Sequence, residues 1–416
     1  MNIKHLVVVT LAGLSIAATA DVMDRPQGIK IGERMTLKPY VGLSYTYDSN
    51  IYSRKTKTGK FGKKDSSIWH VDPNLDLIYL GDSWSLVGSV WYKYNAYSRD
   101  SSHNNKSSYG ERLKFDWTDS KSDEAGWRVL LSEKFEQITQ DDDMNSGGRG
   151  VGRDRKEFNG DGTIERRLNQ YWHLAALGNY YMIDYDNTAQ NSSSYYGWKR
   201  AVIGGEGGYA PTKWTDFILH ANYQWYWQDN AGSKVGNRIR DNSRGYTVMG
   251  GLATHATEKI TYRLLGGWSR FEYGGNGGHD VNGFTYQGSV NWQISQTLHF
   301  MALATSYYQP SEYEVGTANR VDALSFGVGK SLVRGKVNAT GDIAYRHESR
   351  EYSLNDNYDY EEDIWTFRVG VNYVINRFIT TFSNIEYQTC DVGGKKKNAP
   401  ESYDRFRFTV GLRLTY

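Results

Sequence analysis

The sequence predicts an all-β protein, an 18-stranded antiparallel transmembrane β-barrel of the bacterial outer membrane. Three observations predict it: a strand pattern that recurs along the chain, connections that alternate between short and long, and an N-terminal export signal. The pattern is clearest at the C-terminus, where bulky apolar residues occupy every even position from Phe406 to Tyr416. Polar residues and one glycine occupy the odd positions, so one face of this strand suits lipid and the other suits water.

The N-terminus carries the export signal. Met1–Lys4 is positively charged, Leu6–Ala18 is a short apolar stretch, and Ala18-Thr19-Ala20 supplies small residues for signal-peptidase cleavage. The apolar stretch falls short of the roughly 20 residues that span a bilayer. We therefore divide the chain into a signal peptide (1–20), a short periplasmic N-terminal segment (21–36) and a transmembrane β-barrel (37–416). The middle segment is too short to fold into a plug domain.

The composition suits a barrel that faces both lipid and water. The chain of 416 residues has 33 Tyr, 13 Trp and 44 Gly but only 6 Pro, and its mean hydropathy is −0.66. Aromatic residues favour strands and gather at both membrane interfaces of a barrel. The single Cys390 excludes an intramolecular disulfide framework, and the net charge of +2 indicates no particular partner. No motif calls for a cofactor.

The alternation continues through the rest of the chain. An even strand number is expected of a single-chain bacterial barrel. We predict eighteen strands, at Leu37–Tyr52, Ile68–Tyr79, Trp84–Ser98, Tyr109–Thr118, Gly126–Gln137, Glu157–Leu168, Trp172–Asp184, Tyr195–Ala210, Thr215–Gln228, Gly245–Thr254, Ile260–Tyr273, Gly283–Gln293, Leu298–Tyr308, Val321–Leu332, Lys336–Tyr352, Ile364–Val374, Ile379–Thr389 and Tyr403–Tyr416.

The connections between these strands fall into two classes. Every second one is short, as at Gly81-Asp82-Ser83, and those between are longer and polar, as at Arg54–Ser66. Short periplasmic turns alternate with long external loops in outer-membrane barrels, whereas a soluble β-sandwich or propeller has no reason to sort its connections. Both chain termini should then lie on the periplasmic side. The longest loops, Ile138–Gly152 and Asp229–Ser243, are candidates to fold into the lumen.

Alternation also assigns charged mid-strand residues to the lumen, because an Arg or Lys facing lipid at mid-membrane would cost roughly 2–4 kcal/mol. The predicted lumen-lining residues are Lys93, Arg112, Lys114, Arg167, Arg263, Arg346, Arg368, Arg405, Arg407, Arg413, Glu165, Glu206, Trp91, Tyr226 and Tyr307. By the same alternation, the odd positions of 215–228 and 364–374 should face lipid. A salt-bridged wall is the simpler interpretation of the mixed charges, and a dedicated anion-binding site is the alternative.

Two stretches at the start of the barrel resemble a known family. Pro39–Tyr52 ends in Tyr-Asp-Ser-Asn-Ile-Tyr, and Val71–Leu75 has a central proline. In both stretches the chain is similar to the outer-membrane β-barrel porins associated with exopolysaccharide loci. The resemblance implies an 18-stranded barrel that passes secreted polysaccharide through the outer membrane with periplasmic export machinery. Taken by themselves, Asp48 and Asn50 are better explained as a polar strand end that turns the chain at the membrane surface.

Catalysis would need a nucleophile within hydrogen-bond reach of a base. The nine His are scattered, and the best grouping is His347 with Glu348 and Ser349. His347 and Ser349 share the lipid-facing side of a strand but lie about 6–7 Å apart along it, and no third group that would orient His347 is evident. The sequence therefore predicts no enzyme, no catalytic residue and no metal site.

Several external loops carry concentrated charge. Lys55–Lys64 contains five lysines and Lys395–Lys397 contains three, and these loops should be neighbours in a closed barrel. They could pair with lipopolysaccharide phosphates or with an anionic polymer leaving the pore. Acidic stretches at Asp141–Asp143 and Asn355–Asp363 could bind Ca²⁺, but solvated surface charge is the simpler interpretation. The expected partners are outer-membrane lipid and lipopolysaccharide, and nucleic acid is not suggested.

Eighteen strands enclose more space than side chains can fill, so the lumen should be an aqueous channel. The leading expectation is a monomeric or weakly oligomeric channel that passes secreted exopolysaccharide, with sugar rings sliding over inward-facing aromatic residues. A general or anion-preferring uptake porin would share the fold and differ in lumen width and loop constriction. A third alternative is an occluded adhesion or structural barrel.

Overall fold

The computed structural model describes residues 28–51, 53, 63–99, 105–119, 125–138, 154–185, 197–212, 214–229, 234–235, 238–239, 242–257, 259–274, 280–310, 318–351, 360–394 and 402–416. The expected signal peptide lies outside these residues. So do most of both basic loops, the acidic stretch at 141–143, part of the one at 355–363, and most of the two loops proposed to fold into the lumen.

Eighteen strands form one antiparallel sheet that closes on itself. They are β1 (Met35–Asp48), β2 (Ser66–Leu80), β3 (Trp84–Tyr97), β4 (Lys106–Thr118), β5 (Gly126–Ile138), β6 (Arg155–Arg167), β7 (Trp172–Tyr185), β8 (Trp198–Thr212), β9 (Thr215–Gln228), β10 (Ser243–Thr257), β11 (Ile260–Tyr273), β12 (Val281–Gln293), β13 (Leu298–Pro310), β14 (Ala318–Leu332), β15 (Val337–Glu351), β16 (Tyr360–Asn376), β17 (Ile379–Gly394) and β18 (Tyr403–Thr415). Each pairs with its neighbours in the chain, and β1 pairs with β18 from Tyr40↔Thr415 to Asp48↔Arg407. The predicted 18-stranded antiparallel barrel is confirmed.

Three short strands accompany the barrel. Ile29–Ile31 turns back onto β1, with Ile31 opposite Met35, so this part of the N-terminal segment extends the barrel wall. Lys234–Val235 and Arg238–Ile239 pair with each other in the connection between β9 and β10. A 3-10 turn, Val333–Gly335, joins β14 to β15.

The first strand ends earlier than the sequence suggested. The prediction continued it to Tyr52, but β1 stops at Asp48. The backbone N–H of Asn50 donates a hydrogen bond of 2.9 Å to the Asp48 carboxylate, and such a side-chain bond to the backbone two residues later turns the chain.

Apolar side chains cover the outside of the wall. On β9, Leu219 is 62% exposed and Tyr226, at an alternate position, is 1% exposed. On β16, Val369 is 58% exposed and Thr366, again at an alternate position, is 5% exposed. Both strands therefore follow the predicted alternation between lipid and interior. Aromatic pairs flank the apolar band at both ends of the barrel, as expected at the two membrane interfaces. They include Tyr79–Trp84, Trp172–Tyr209, Tyr45–Trp69 and Tyr345–Trp365.

The two ends of the barrel differ in their connections. The end that carries Ile29–Ile31 and the C-terminus has short turns, such as those from Leu80 to Trp84 and from Asn376 to Ile379. The connections at the opposite end are longer, as the sequence predicted. We call these the short-turn end and the long-loop end. No helix in the described residues is long and apolar enough to cross a membrane.

Candidate functional site

Most charged side chains on the interior face form ion pairs. Arg368 on β16 donates to Glu386 on β17 at 2.7 Å and to Asp342 on β15 at 3.3 Å. Other ion pairs join Arg128 to Asp116, at 2.7 Å, and Arg346 to Glu348, at 2.9 Å. These side chains rigidify the wall and are neutralised within it, which agrees with the salt-bridged interpretation.

One ion pair crosses three strand-to-strand steps. The Arg263 guanidinium on β11 donates to both carboxylate oxygens of Glu206 on β8, at 3.0 Å and 2.5 Å. The His220 imidazole on β9 lies 3.3 Å from the same carboxylate. The pair passes over β10, where Ala253 lies opposite Arg263 and leaves room for the long side chain. The pair therefore braces a segment of wall four strands wide.

A buried ion pair closes the seam between the first and last strands. Arg405 on β18 donates to the Asp48 carboxylate of β1 through Nε at 3.0 Å and Nη2 at 2.5 Å, and Arg407 Nε lies 3.5 Å from the same carboxylate. Asp48 is 0% exposed. Asn50 Nδ2 adds a bond of 2.9 Å to the backbone oxygen of Asp404. The Tyr-Asp-Ser-Asn-Ile stretch is therefore a barrel clasp as well as a turn, a role that sequence reasoning missed.

Just after this clasp the chain turns inward. Ile51 is buried against Ile68 on β2 and Tyr97 on β3. Both partners lie on the interior face, opposite the exposed Trp69. The base of the first long loop is therefore packed inside the mouth of the barrel.

At the long-loop end, many of the described interior side chains are buried. The largest cluster of buried residues there is formed by Ile183, Tyr185, Trp198, Tyr226, Phe271, Tyr273, Val281, Tyr308 and Ala318. Tyr226 on β9 is 1% exposed, and its hydroxyl donates to Gln224 and lies 3.3 Å from the backbone oxygen of Tyr308 on β13. Tyr226 thus faces inward, but it is part of the packed core and offers no ring for a sugar to slide on.

The interior is accessible at the short-turn end. Arg112 and Lys114 on β4 and Arg413 on β18 are exposed there, together with Asn384 on β17. Arg112 and Lys114 form no hydrogen bond or ion pair with the described residues. The lumen therefore opens toward the short-turn end, with free positive charge on the wall formed by β18 and β1–β4.

The opposite wall is almost uncharged. On the described interior face of β10–β14, the alternate positions carry one charged side chain, Arg263, which Glu206 neutralises. The remaining positions are small, hydroxylated, amide or apolar, as at Ser289, Met301 and Ser325. An ion in the lumen therefore meets a cationic wall on one side and a neutral wall on the other.

Trp91 stands at mid-height on the cationic wall. It lies opposite Asn74 on one side and Gly110 on the other, and the indole rests so closely on Gly110 that a Cβ there would overlap it. Tyr40 on β1 is the register partner of Asn74, and the Arg413 guanidinium lies 5.0 Å from the centre of the Tyr40 ring. The two stretches that carried the family resemblance thus meet here, at Tyr40 and Asn74.

His347 has a partner that the sequence did not reveal. Its Nδ1 lies 2.9 Å from an Asp363 oxygen on β16, which also accepts a bond of 2.6 Å from the Tyr345 hydroxyl. The expectation that no third group orients His347 was therefore wrong, because the carboxylate comes from the neighbouring strand. Among the described residues, no group of three His, Cys, Asp or Glu side chains could hold a metal ion.

The other predicted residues are spread over the same interior face. Lys93 follows Trp91 on β3, Arg167 and Glu165 lie near the short-turn end of β6, and Tyr307 on β13 lies opposite the buried Val321. Sequence reasoning missed Tyr40 and Asn74, which alternation would have placed on this face. It could not distinguish the free Arg112 and Lys114 from the paired arginines, nor the exposed interior side chains from the buried ones. Both distinctions depend on contacts between strands.

Comparison with known proteins identifies related sequences and folds. The sequence model of the family described as "Putative beta-barrel porin 2" matches residues 24–416. A search of curated proteins finds no match. Among solved structures, the chain is similar to the FrpB iron transporter from Neisseria meningitidis, with a TM-score of 0.45 and 10% identity over 93% of this chain and 82% of that one.

Two further solved structures are similar at the same low level. OpdQ from Pseudomonas aeruginosa has a TM-score of 0.44 and 10% identity, over 92% of this chain and 98% of that one. A structure described as a bacterial polysaccharide outer membrane secretin has a TM-score of 0.34 and 8% identity, over 90% and 98% of the two chains.

Proposed function

The chain belongs to the beta-barrel porin 2 family of outer-membrane barrels, and we propose that it passes a secreted exopolysaccharide across the outer membrane from the periplasmic side. Membership of a porin family identifies a channel protein and no enzyme, so His347 and Asp363 are assigned no catalytic role. The barrel spans the outer membrane of a Gram-negative bacterium with all eighteen strands.

The observation that carries the proposal is the asymmetry of the lumen. Interior side chains such as Arg112, Lys114 and Asn384 are exposed toward the short-turn end, which is the periplasmic end of such barrels. Interior side chains at the long-loop end, such as Tyr226 and Phe271, are buried. A solute made in the cell would enter an open vestibule and meet the constriction last, and periplasmic export machinery would deliver the polymer to this vestibule.

An anion-preferring porin is the second candidate, favoured by the unpaired Arg112 and Lys114. Fixed positive charge in a narrow channel raises the local concentration of anions and would serve small solutes equally well. An exporter and a porin differ in sidedness. A polymer exporter should admit saccharide from the periplasmic side alone, whereas a porin should conduct small anions without being blocked by saccharides.

Single-channel recording in a planar bilayer tests the proposal. With the barrels inserted in one orientation, neutral and acidic hexasaccharides are added to either side in turn. Interruption of the current from the short-turn side alone is the expected result. A steady current that no saccharide interrupts would favour the porin, and a silent barrel would favour the occluded structural alternative.

A further inference from the structure

We propose that Trp91, Tyr40, Asn74 and Arg112 form a binding subsite for an acidic saccharide on the cationic wall of the lumen. The inference rests on the proposed function and specifies the ligand class and the residues that hold it. A pyranose ring would lie on the indole of Trp91, and its carboxylate would face the free guanidinium and ammonium groups below.

The Trp91 indole has the support and the access of a stacking platform. Gly110 lies beneath the ring, and any side chain at that position would displace it. The ring is partly exposed, in contrast to Tyr226 and Trp198, which are buried in the cluster at the long-loop end. Aromatic faces carry partial negative charge, so they attract the polarised C–H groups of a sugar face. Trp91 is therefore available to a ligand, unlike the aromatic residues of that buried cluster.

Polar groups that suit sugar hydroxyls lie next to the platform. Asn74 is directly opposite Trp91, and its Oδ1 atom accepts no hydrogen bond from the described residues although it is shielded from bulk water. A buried acceptor without a donor is costly, and a small rotation of the half-buried Asn74 side chain would let a sugar hydroxyl donate to it. Asp76, two residues farther along β2, already accepts a hydrogen bond of 2.8 Å from the Ser89 hydroxyl. Asn74 is thus the acceptor left free for a ligand.

The charge around the platform selects acidic saccharides. The interior face of β18 and β1–β4 near Trp91 carries five basic residues and two acidic ones, an excess of three positive charges. They are Lys38, Lys93, Arg112, Lys114, Arg413, Asp72 and Asp76. Asp116 is not counted, because Arg128 neutralises it. Arg112 lies opposite Ser89, and Ser89 lies two residues before Trp91 on β3. Arg112 therefore occupies the next position on the interior face beside the platform. Charge-assisted bonds from Arg to a carboxylate are about twice as strong as neutral ones.

The test compares two probes in single-channel recordings of the refolded full-length barrel: a hexamer of galacturonic acid and neutral maltohexaose. In the wild type, the acidic hexamer added at the short-turn side should block the current for longer than maltohexaose does. Trp91→Ala should shorten both blocks about fivefold, as expected for loss of one aromatic contact. Trp91→Phe should restore most of the block. Arg112→Gln should shorten the block by the acidic hexamer alone.

The matched control is Trp365→Ala, which removes an indole from the lipid-facing side and should leave every block unchanged. Each outcome has a distinct meaning. Wild-type blocks that persist unchanged in Trp91→Ala would overturn the subsite and leave export standing. Equal blocks by the two hexamers, unaffected by Arg112→Gln, would overturn the acidic ligand class. Absence of any block in the wild type would overturn the proposed function and the subsite together.

Discussion

At the scale of single residues, Asp48 shows how one side chain can hold both ends of the chain together. It is fully buried, and it compensates the charges of Arg405 and Arg407 on the last strand. A buried charge that loses its partner is destabilising by roughly 3–5 kcal/mol, because it remains desolvated without compensation. The seam between β1 and β18 therefore depends on this carboxylate more than on any exposed ion pair.

We predict that Asp48→Asn lowers the free energy of unfolding by about 3 kcal/mol or more, since it removes the carboxylate that compensates the buried charge of Arg405. Urea unfolding in detergent micelles, followed by the loss of heat-modifiable gel mobility, measures the change. Asp82→Asn is the control, because Asp82 pairs with Arg34 at 3.1 Å at an exposed position and should lose less than about 1 kcal/mol. Equal losses in the two variants would contradict the clasp.

At the scale of single strands, alternation fixes which face meets lipid. Val369 lies in the middle of β16 and is 58% exposed, between Phe367 and Val371 on the same apolar face. Asn384 on the adjacent β17 is exposed on the opposite, interior face, where its register partners are Gly370 and Thr409. These two positions lie on neighbouring strands and differ in the medium that they face.

Val369→Arg should therefore destabilise the barrel folded in lipid vesicles by about 2–4 kcal/mol, the cost of a cation near the bilayer midplane. Asn384→Arg places the same side chain in the aqueous lumen and should change the folding free energy by less than about 1 kcal/mol. Denaturant titrations of both variants in vesicles provide the comparison. If both cost the same, the assignment of the two faces would be incorrect.

The strand scale also shows what could be predicted from sequence. The alternation of apolar and polar residues is sufficient to locate β9 and β16, because every second side chain has to match lipid. The end of β1 was misplaced because the turn there depends on where the Asp48 side chain points, and Arg405, more than 350 residues away, holds that side chain in place. Likewise, alternation puts Arg263 and Glu206 on the interior face, but their contact across β10 depends on how the wall curves.

At the scale of the whole molecule, a net charge of +2 conceals a strongly uneven lumen. Free positive charge lies on β18 and β1–β4 near the short-turn end, and β10–β14 are almost neutral. Composition could not reveal this separation, because paired and unpaired arginines are indistinguishable until the strands are in register. The asymmetry predicts that ions in the lumen respond to the side chains of one wall.

Lys114 is the position at which this prediction is sharpest. The wild-type barrel should prefer chloride to potassium. Lys114→Glu should lower the ratio of chloride to potassium permeability about twofold or more, because it reverses one free charge in water a few ångströms from the ion path. Zero-current potentials in a potassium chloride gradient measure the ratio. Lys330→Glu makes the same substitution on the outside of β14 near the same end and should leave the ratio unchanged. The effect at Lys114 should fade toward 1 M salt, where the screening length falls to about 3 Å. Persistence of the full shift at that salt concentration would mean that the substitution changed the shape of the lumen and not its field.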